Sequence, residues 1–393
     1  MNKFYKSESG QAIVLIVLGM VALVAIVALA IDGGGAFSDR RHAQNAVDTA
    51  VLAAALAKVS GQDWHTLGLS RAASNGYNND GITSTVTVVN PPGVGCGDTP
   101  GPYAGNVEYV QVIIRSTVDL FFAPVIGIDQ THNCVEAIAR ARPGRYTSLF
   151  YGNAIASTAC HGSGTVKAWG SSSVTTIDGG VFSNSDDPEA MKILKNENLQ
   201  VDPDYGVSAV GGIDAPDDYP YPQVTGVEQI FCPLPDYMLP EYVCDYEYVD
   251  FPPEGVTVLD SGVYCISGEF KKADITGVGV TFVLLNKGVQ WNGNAEMHLS
   301  APEEGSTKGL LIYLPPSNSS EIKLNGTFEL DISGTIFAPS SDIILLGSYS
   351  GVAMRSQWIG QTVDLSGAEE LFIQFDETQT WQYPDPAKVE LTK

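Results

Sequence analysis

The chain is short of positive charge. Its 393 residues hold 21 Lys+Arg against 45 Asp+Glu, a formal net charge of -24. The deficit is uneven, with 10 basic against 11 acidic residues through Arg145 and 11 against 34 beyond it. Arg355 is the only arginine after Arg145, and His161 and His298 are the only histidines there. So acidic a surface repels polyanions, which excludes nucleic acid as a partner. CxxC pairs are missing, and no histidine stands at ligand spacing from a cysteine, which excludes a zinc finger or ribbon. Phosphate loop, nucleophile elbow, HExxH and EF-hand motifs are absent as well. No catalytic residue, cofactor or metal site is therefore expected.

Long apolar runs are scarce too, and the single exception organises the chain. Residues 12–31 (AIVLIVLGMVALVAIVALAI) carry no charged side chain. As a helix they would measure roughly 30 Å, the thickness of a bilayer's hydrocarbon core, with every backbone group paired internally. Ala12, Leu15, Leu18, Val21, Leu23, Ile26, Leu29 and Ile31 are the expected membrane-anchor residues. A cleaved secretory signal is the rival reading, with Lys3 and Lys6 as its basic region and Ala28-Leu29-Ala30 as its cleavage site. The run is longer than a usual signal core and helical character continues past that site, so a retained single span is expected. Residues 1–11 would then be a cytoplasmic n-region, and nearly all the mass would lie on the other side.

Lys3 and Lys6 before the span and Arg40 and Arg41 after it orient it only weakly. The cysteines decide more. All six (Cys96, Cys134, Cys160, Cys232, Cys244 and Cys265) follow the span, isolated and even in number, as suits an oxidising extracytoplasmic compartment. The expected bridges are Cys96–Cys134, and one from either Cys232 or Cys244 to Cys265.

Residues 36–59, after Asp32-Gly33-Gly34-Gly35, read as a helix with a small-residue face at Ala46, Ala50, Ala53 and Ala54. Asp32 is placed to cap that helix or to face headgroups. A short helix is predicted near 66–74, then strands at 83–89, 107–115, 117–122 and 134–141. Residues 32–145 are thus a small α+β domain.

The order Gly10-Gln11-Ala12, apolar span, Ile31-Asp32-Gly33, then Arg40-Arg41 with Gln44-Asn45-Ala46-Val47-Asp48-Thr49-Ala50, resembles the N-terminal region of Flp pilus-assembly TadE/TadG-like (Tad) proteins. The resemblance is specific over 8–60 and looser to about 145. It implies a bacterial envelope protein related to the tight-adherence pilus system, with other pilus components as partners. Pilins cut by the prepilin peptidase carry a glutamate five residues after the cleavage glycine. Counted from Gly10, that position here is Leu15, which favours the anchored TadG-like form over a filament subunit.

Beyond 145 the chain repeats. The segment ending at Gly326 (SSEIKLNG) matches the one ending at Gly347 (SSDIILLG) and, more loosely, the one ending at Gly367 (GQTVDLSG). Spacings of 21 and 20, with aliphatic residues two apart, suit a parallel β-helix whose corners use glycine. Further strands are expected at 309–314, 334–338 and 351–354, with fainter echoes near 174–179, 262–265 and 288–293. Residues 186–253, crowded with proline, tyrosine and acid, read as an irregular excursion. Residues 146–393 are therefore an acidic β-helix-like domain.

Two features could carry chemistry there. Glu321 and Asp342 occupy equivalent repeat positions and could pair on adjacent coils for glycan hydrolysis or calcium, though Thr362 ends the row. Tyr219, Tyr221, Tyr237, Tyr242, Tyr246 and Tyr248 could offer a sugar- or protein-contacting platform, with packing on the solenoid flank the better expectation. Asn318 and Asn325 begin formal glycosylation sequons, which arise readily by chance. The expectation is a non-enzymatic, membrane-anchored structural or adhesive protein of a Tad/Flp-type system. The alternatives are a tethered β-helix that binds or cleaves surface glycans, and a processed pilin-like subunit.

Overall fold

The computed structural model describes residues 9–97, 99–350 and 353–392. Two compact units emerge, one of Met1–Arg145 with Pro386–Lys393, the other of Tyr146–Asp385.

In the first unit α1 (Ser9–Val59) is one helix of 51 residues. It runs through Gly33, Gly34 and Gly35, where the sequence suggested the start of a separate helix. Interior glycines each cost roughly 1 kcal/mol relative to alanine, and here hydrogen bonds from the sheet domain to Asp32 and Asp39 hold the helix on either side of them. Next comes α2 (Trp64–Ser74), capped by the Asp63 carboxylate, which accepts the Thr66 N–H at 3.2 Å. Strands β1 (Ser84–Val89), β2 (Tyr109–Asp119) and β3 (Gln130–Arg142) form an antiparallel sheet. The predicted strands at 107–115 and 117–122 are one strand, β2, which stops at Asp119. The strand Lys388–Leu391 joins the far edge of β3, so the chain's last strand completes the first unit rather than the body.

The core of this unit follows from residue size. Ala43, Ala46, Val47, Ala50, Val51 and Ala54 form a buried stripe on α1, and Ala137, Ala139 and Ala141 face it from β3. Alanine on both sides lets helix and sheet approach closely, while Val86, Val88, Val110, Val112 and Ile114 fill the space.

The second unit is a parallel β-helix. Twenty strands among the described residues belong to one sheet, and the pairings within it are parallel. Their pairings fall on three faces; most strands are short, but Ile322–Ser350 and Met354–Glu369 run on around the corners and pair on more than one face. Inward-pointing Val, Ile and Leu stack from coil to coil into a continuous apolar column, with Trp291, Trp358, Phe251, Phe270 and Phe282 among the large rings.

The order of coils was not evident from sequence. One face runs through ten strands among the described residues, in the spatial order Gln223–Thr225, Val207–Ala209, Gly180–Ser183, Asn153–Ser157, Met354–Glu369, Ile322–Ser350, Leu310–Tyr313, Val280–Leu284, Gly262–Ile266 and Tyr246–Tyr248. The chain thus enters mid-stack, winds to one end, crosses to the other and winds back until its late coils meet its first.

The excursion is therefore shorter than 186–253. Met191–Ile193, Leu199–Gln200, Val207–Ala209 and Ile213–Asp214 are ordinary rungs. With two or three residues apiece they are too brief for a period of two to stand out. Only residues 226–245 leave the coil, and they form the crossing.

The glycine-ended segments stack as the repeat implied, with one offset. A Cβ on Gly347 would lie 2.1 Å from the Gly326 carbonyl oxygen, and one on Gly326 would lie 2.0 Å from that of Gly293. Gly367, by contrast, pairs with Leu346, and Gly347 with Ala368. The slip arises at Asp364, whose carboxylate accepts the Ser366 N–H at 2.9 Å and inserts a bulge. The strand expected at 351–354 lies partly outside the described residues.

Candidate functional site

The residues expected to form an anchor lie in the first half of α1. Leu15, Leu18, Val21, Leu23, Ile26, Leu29 and Ile31 are all exposed, and nothing among the described residues buries this stretch. Ala12 lies in the same helix. This is the one helix among the described residues long and apolar enough to cross a membrane. A helix apolar all round is stable only with a nonaqueous surround.

Where the apolar stretch ends, two carboxylates take hold of the sheet domain. Asp32, read from sequence as capping the next helix or facing headgroups, lies inside the continuous α1 instead. It accepts the backbone N–H groups of Phe121 at 2.7 Å, Phe122 at 3.1 Å and Ala123 at 2.8 Å, at the tip of the β2–β3 hairpin. Desolvation acts to raise its pKa, but these three amides outweigh it and hold Asp32 below the usual carboxylate range. Two turns on, Asp39 accepts from the Ser116 hydroxyl at 2.5 Å, the Asn133 amide at 2.7 Å and the Tyr77 hydroxyl at 3.1 Å. The span and the first domain are thereby one hydrogen-bonded piece. Sequence reasoning missed both roles, because the donors lie 38 to 94 positions away.

On the opposite face of this sheet the loop after β1 is pinned by Cys96–Cys134. The carboxylate of Glu136 accepts the Cys96 N–H at 3.1 Å and the Gln111 side chain at 3.0 Å beneath it.

With that geometry in view, the comparison with known families bears on the N-terminal part. Residues 10–57 match the Tad family model, Flp pilus-assembly TadE/G-like. No curated protein and no solved structure matches the chain. The Tad match covers the exposed apolar half of α1, Asp32, Asp39 and the buried alanine stripe. It spans the apolar segment together with its seat. The match stops short of the β-helix.

In the body, the crossing segment carries the other two disulfides. Cys160 pairs with Cys232, and Cys244 with Cys265. Cys265 thus takes Cys244 rather than Cys232, and Cys160, which the sequence left unassigned, takes Cys232. Its position just after the first body strand gave no sign that 232 would pass nearby. Between the bridges the segment lies along one flank of the solenoid, where Leu234, Leu239 and Tyr242 pack on an outer apolar row that includes Val283, Tyr313 and Phe337. Asn184, fully buried, fastens it further by donating to the Ile230 carbonyl at 2.8 Å and accepting the Ile230 N–H at 2.8 Å.

Most of the tyrosines singled out from sequence serve packing. Tyr219 is buried and donates to the Leu199 carbonyl at 3.0 Å, Tyr242 meets Tyr313 edge-on, and Tyr246 and Tyr248 stack on Tyr264. Tyr237 is more open and, with Tyr146, Asp236 and Glu241, lines a groove of about 500 Å³. Glu321 accepts from the Gln290 amide at 3.1 Å, and Asp342 from the Thr362 hydroxyl at 2.7 Å. Each carboxylate is thus engaged with a neighbouring coil. No cluster of three metal-ligating side chains occurs among the described residues. Asn318, the first sequon residue, is buried and donates to the carbonyls of Leu284 and Lys287, a corner-holding role.

Proposed function

We propose that this protein is a membrane-anchored, extracytoplasmic structural and adhesive component of a Tad/Flp-type pilus system, presenting an acidic β-helix. The carrying observation is that the exposed apolar half of α1 continues without a break into the Tad-matched seat of a folded domain. A signal sequence destined for removal has no need of such continuity. Three disulfides support an oxidising location for the body. Its 34 acidic against 11 basic residues beyond Arg145 suit a solvated outer surface. The role is non-enzymatic in this reading, since the best-placed carboxylates, Glu321 and Asp342, hold neighbouring coils together.

The test is fractionation of cells carrying the full chain. The expected result is retention in carbonate-washed membranes, with the body digested by protease added to intact cells. Recovery in the soluble fraction, or complete protection of the body, would overturn the reading. The mass of the mature N-terminus separates the alternatives: a start at Gln11 marks a processed pilin-like subunit, and a start at Ile31 marks release by signal peptidase.

A further inference from the structure

The tip of the β2–β3 hairpin is apolar, exposed and level with the end of the span. Residues 120–128 (LFFAPVIGI) contain no charged side chain. Phe121 is 84% exposed, Val125 89% and Ile126 76%, with Phe122 and Ile128 also open. Large apolar side chains scattered singly on a surface need no explanation, but five on one short turn do.

The backbone of this turn is hydrogen-bonded in an unusual way for a water-facing loop. Asp32 takes the N–H groups of Phe121, Phe122 and Ala123, and the Asp129 carbonyl takes that of Leu120. Inside the turn, Val125 donates to Phe122, Gly127 to Pro124 and Ile128 to Ala123. Pro124 has no N–H to satisfy. Apolar side chains outside and paired donors within are what entry into lipid requires. The position agrees, because Asp32 directly follows Ile31, the last residue of the apolar run.

We propose that this hairpin tip is a second membrane contact, its Phe121, Val125 and Ile126 side chains inserted into the interfacial layer of the leaflet from which α1 emerges. The occupant of the patch is thus lipid rather than a protein partner. Span and tip, joined through Asp32, hold the Tad seat against the bilayer at two points and fix the direction in which α1 leaves it. The inference rests on the anchored reading above.

The experiment uses the full chain in phosphatidylcholine bilayers, with ordinary or brominated acyl chains, and reads tryptophan emission of single variants against the unsubstituted protein. Phe121→Trp and Val125→Trp are the probes, and Leu18→Trp reports on the span. Val107→Trp is the water-facing control, since the Val107 carbonyl accepts from Lys58, some 26 residues or about 40 Å along α1 from Asp32. Added emission from both probes should fall about twofold or more in brominated lipid, as for Leu18→Trp, while that of Val107→Trp holds. Quenching of Leu18→Trp with both probes behaving like Val107→Trp overturns the second contact and leaves the anchor standing. An unquenched Leu18→Trp overturns the anchor and this inference together.

Discussion

The Gln357 side chain donates to the Asn153 carbonyl over 2.9 Å, across 204 positions of sequence. The same amide also reaches the Leu149 carbonyl at 2.9 Å. Beside it Trp358 lies in register with Ile155, and Ile359 with Ala156. This is the seam at which the late coils close on the first, and it joins two halves that the chain builds separately.

The seam should be worth more than its few contacts suggest. Gln357 is fully buried, and Gln357→Ala removes the amide donor that the Leu149 and Asn153 carbonyls share, an expected loss of about 1–3 kcal/mol. Trp358→Ala opens a cavity in the column and should cost about 3–5 kcal/mol. Arg355→Ala, at an exposed position of the same strand, should stay within about 0.5 kcal/mol. Urea unfolding of the oxidised protein in detergent measures all three. Equal midpoints for the three variants would mean that the seam is not closed as described.

Gly347 is a corner where nothing larger fits. Its φ of +93° disfavours a side chain, and an added Cβ would meet the Gly326 carbonyl at 2.1 Å. Gly347→Ala should therefore lower the thermal midpoint clearly, with an expected cost of about 1–3 kcal/mol. Gly101, with ordinary φ and open space around it, is the comparison, and Gly101→Ala should leave the midpoint unchanged.

Disulfide mapping of the unreduced protein should return Cys96–Cys134, Cys160–Cys232 and Cys244–Cys265. The two bridges on the crossing segment close loops of 72 and 21 positions. Chain entropy then predicts about 4 kcal/mol for the first and about 3 kcal/mol for the second. Cys160→Ser with Cys232→Ser should therefore lower the thermal midpoint more than Cys244→Ser with Cys265→Ser. The reverse order would show that strain or packing, not loop closure, governs this segment.

Acid should loosen the turn before β1. The Asp80 carboxylate accepts the N–H groups of Ile82 and Thr83, each at 2.8 Å, that of Ser84 at 3.1 Å, and the Thr83 hydroxyl at 2.6 Å. The Thr83 hydroxyl foremost, then the backbone donors, hold its pKa well below the usual carboxylate range. A pKa lower in the folded state gives stability that is complete above about pH 4 and is lost as pH falls further. The gap in thermal midpoint between the native protein and Asp80→Asn should thus narrow between pH 6 and pH 2. A gap independent of pH would show that the carboxylate's charge plays no part.

Much of this architecture was legible in the residues. The run ending at Ile31, the alanine stripe below it and the SSEIKLNG/SSDIILLG repeat each carry a local period, and each period depends only on which neighbours lie on the same face. The coils between Met191 and Asp214 were hidden because strands of two or three residues have no measurable period. The seat at Asp32 and Asp39 was hidden for a different reason: a carboxylate on a helix looks the same whether water or a distant strand supplies its donors.

The residues alone thus determine a greasy helix, a small helix-and-sheet domain and an acidic stack of aliphatic rungs. They leave open the order of that stack, because every rung offers its neighbours a similar parallel backbone edge and similar inward side chains, so local pattern favours many orders about equally. Only the tertiary structure picks one, through contacts with no local signature. A twenty-residue crossing reaches the far end, two disulfides and Asn184 fix its path, and Gln357 closes the last coils on the first.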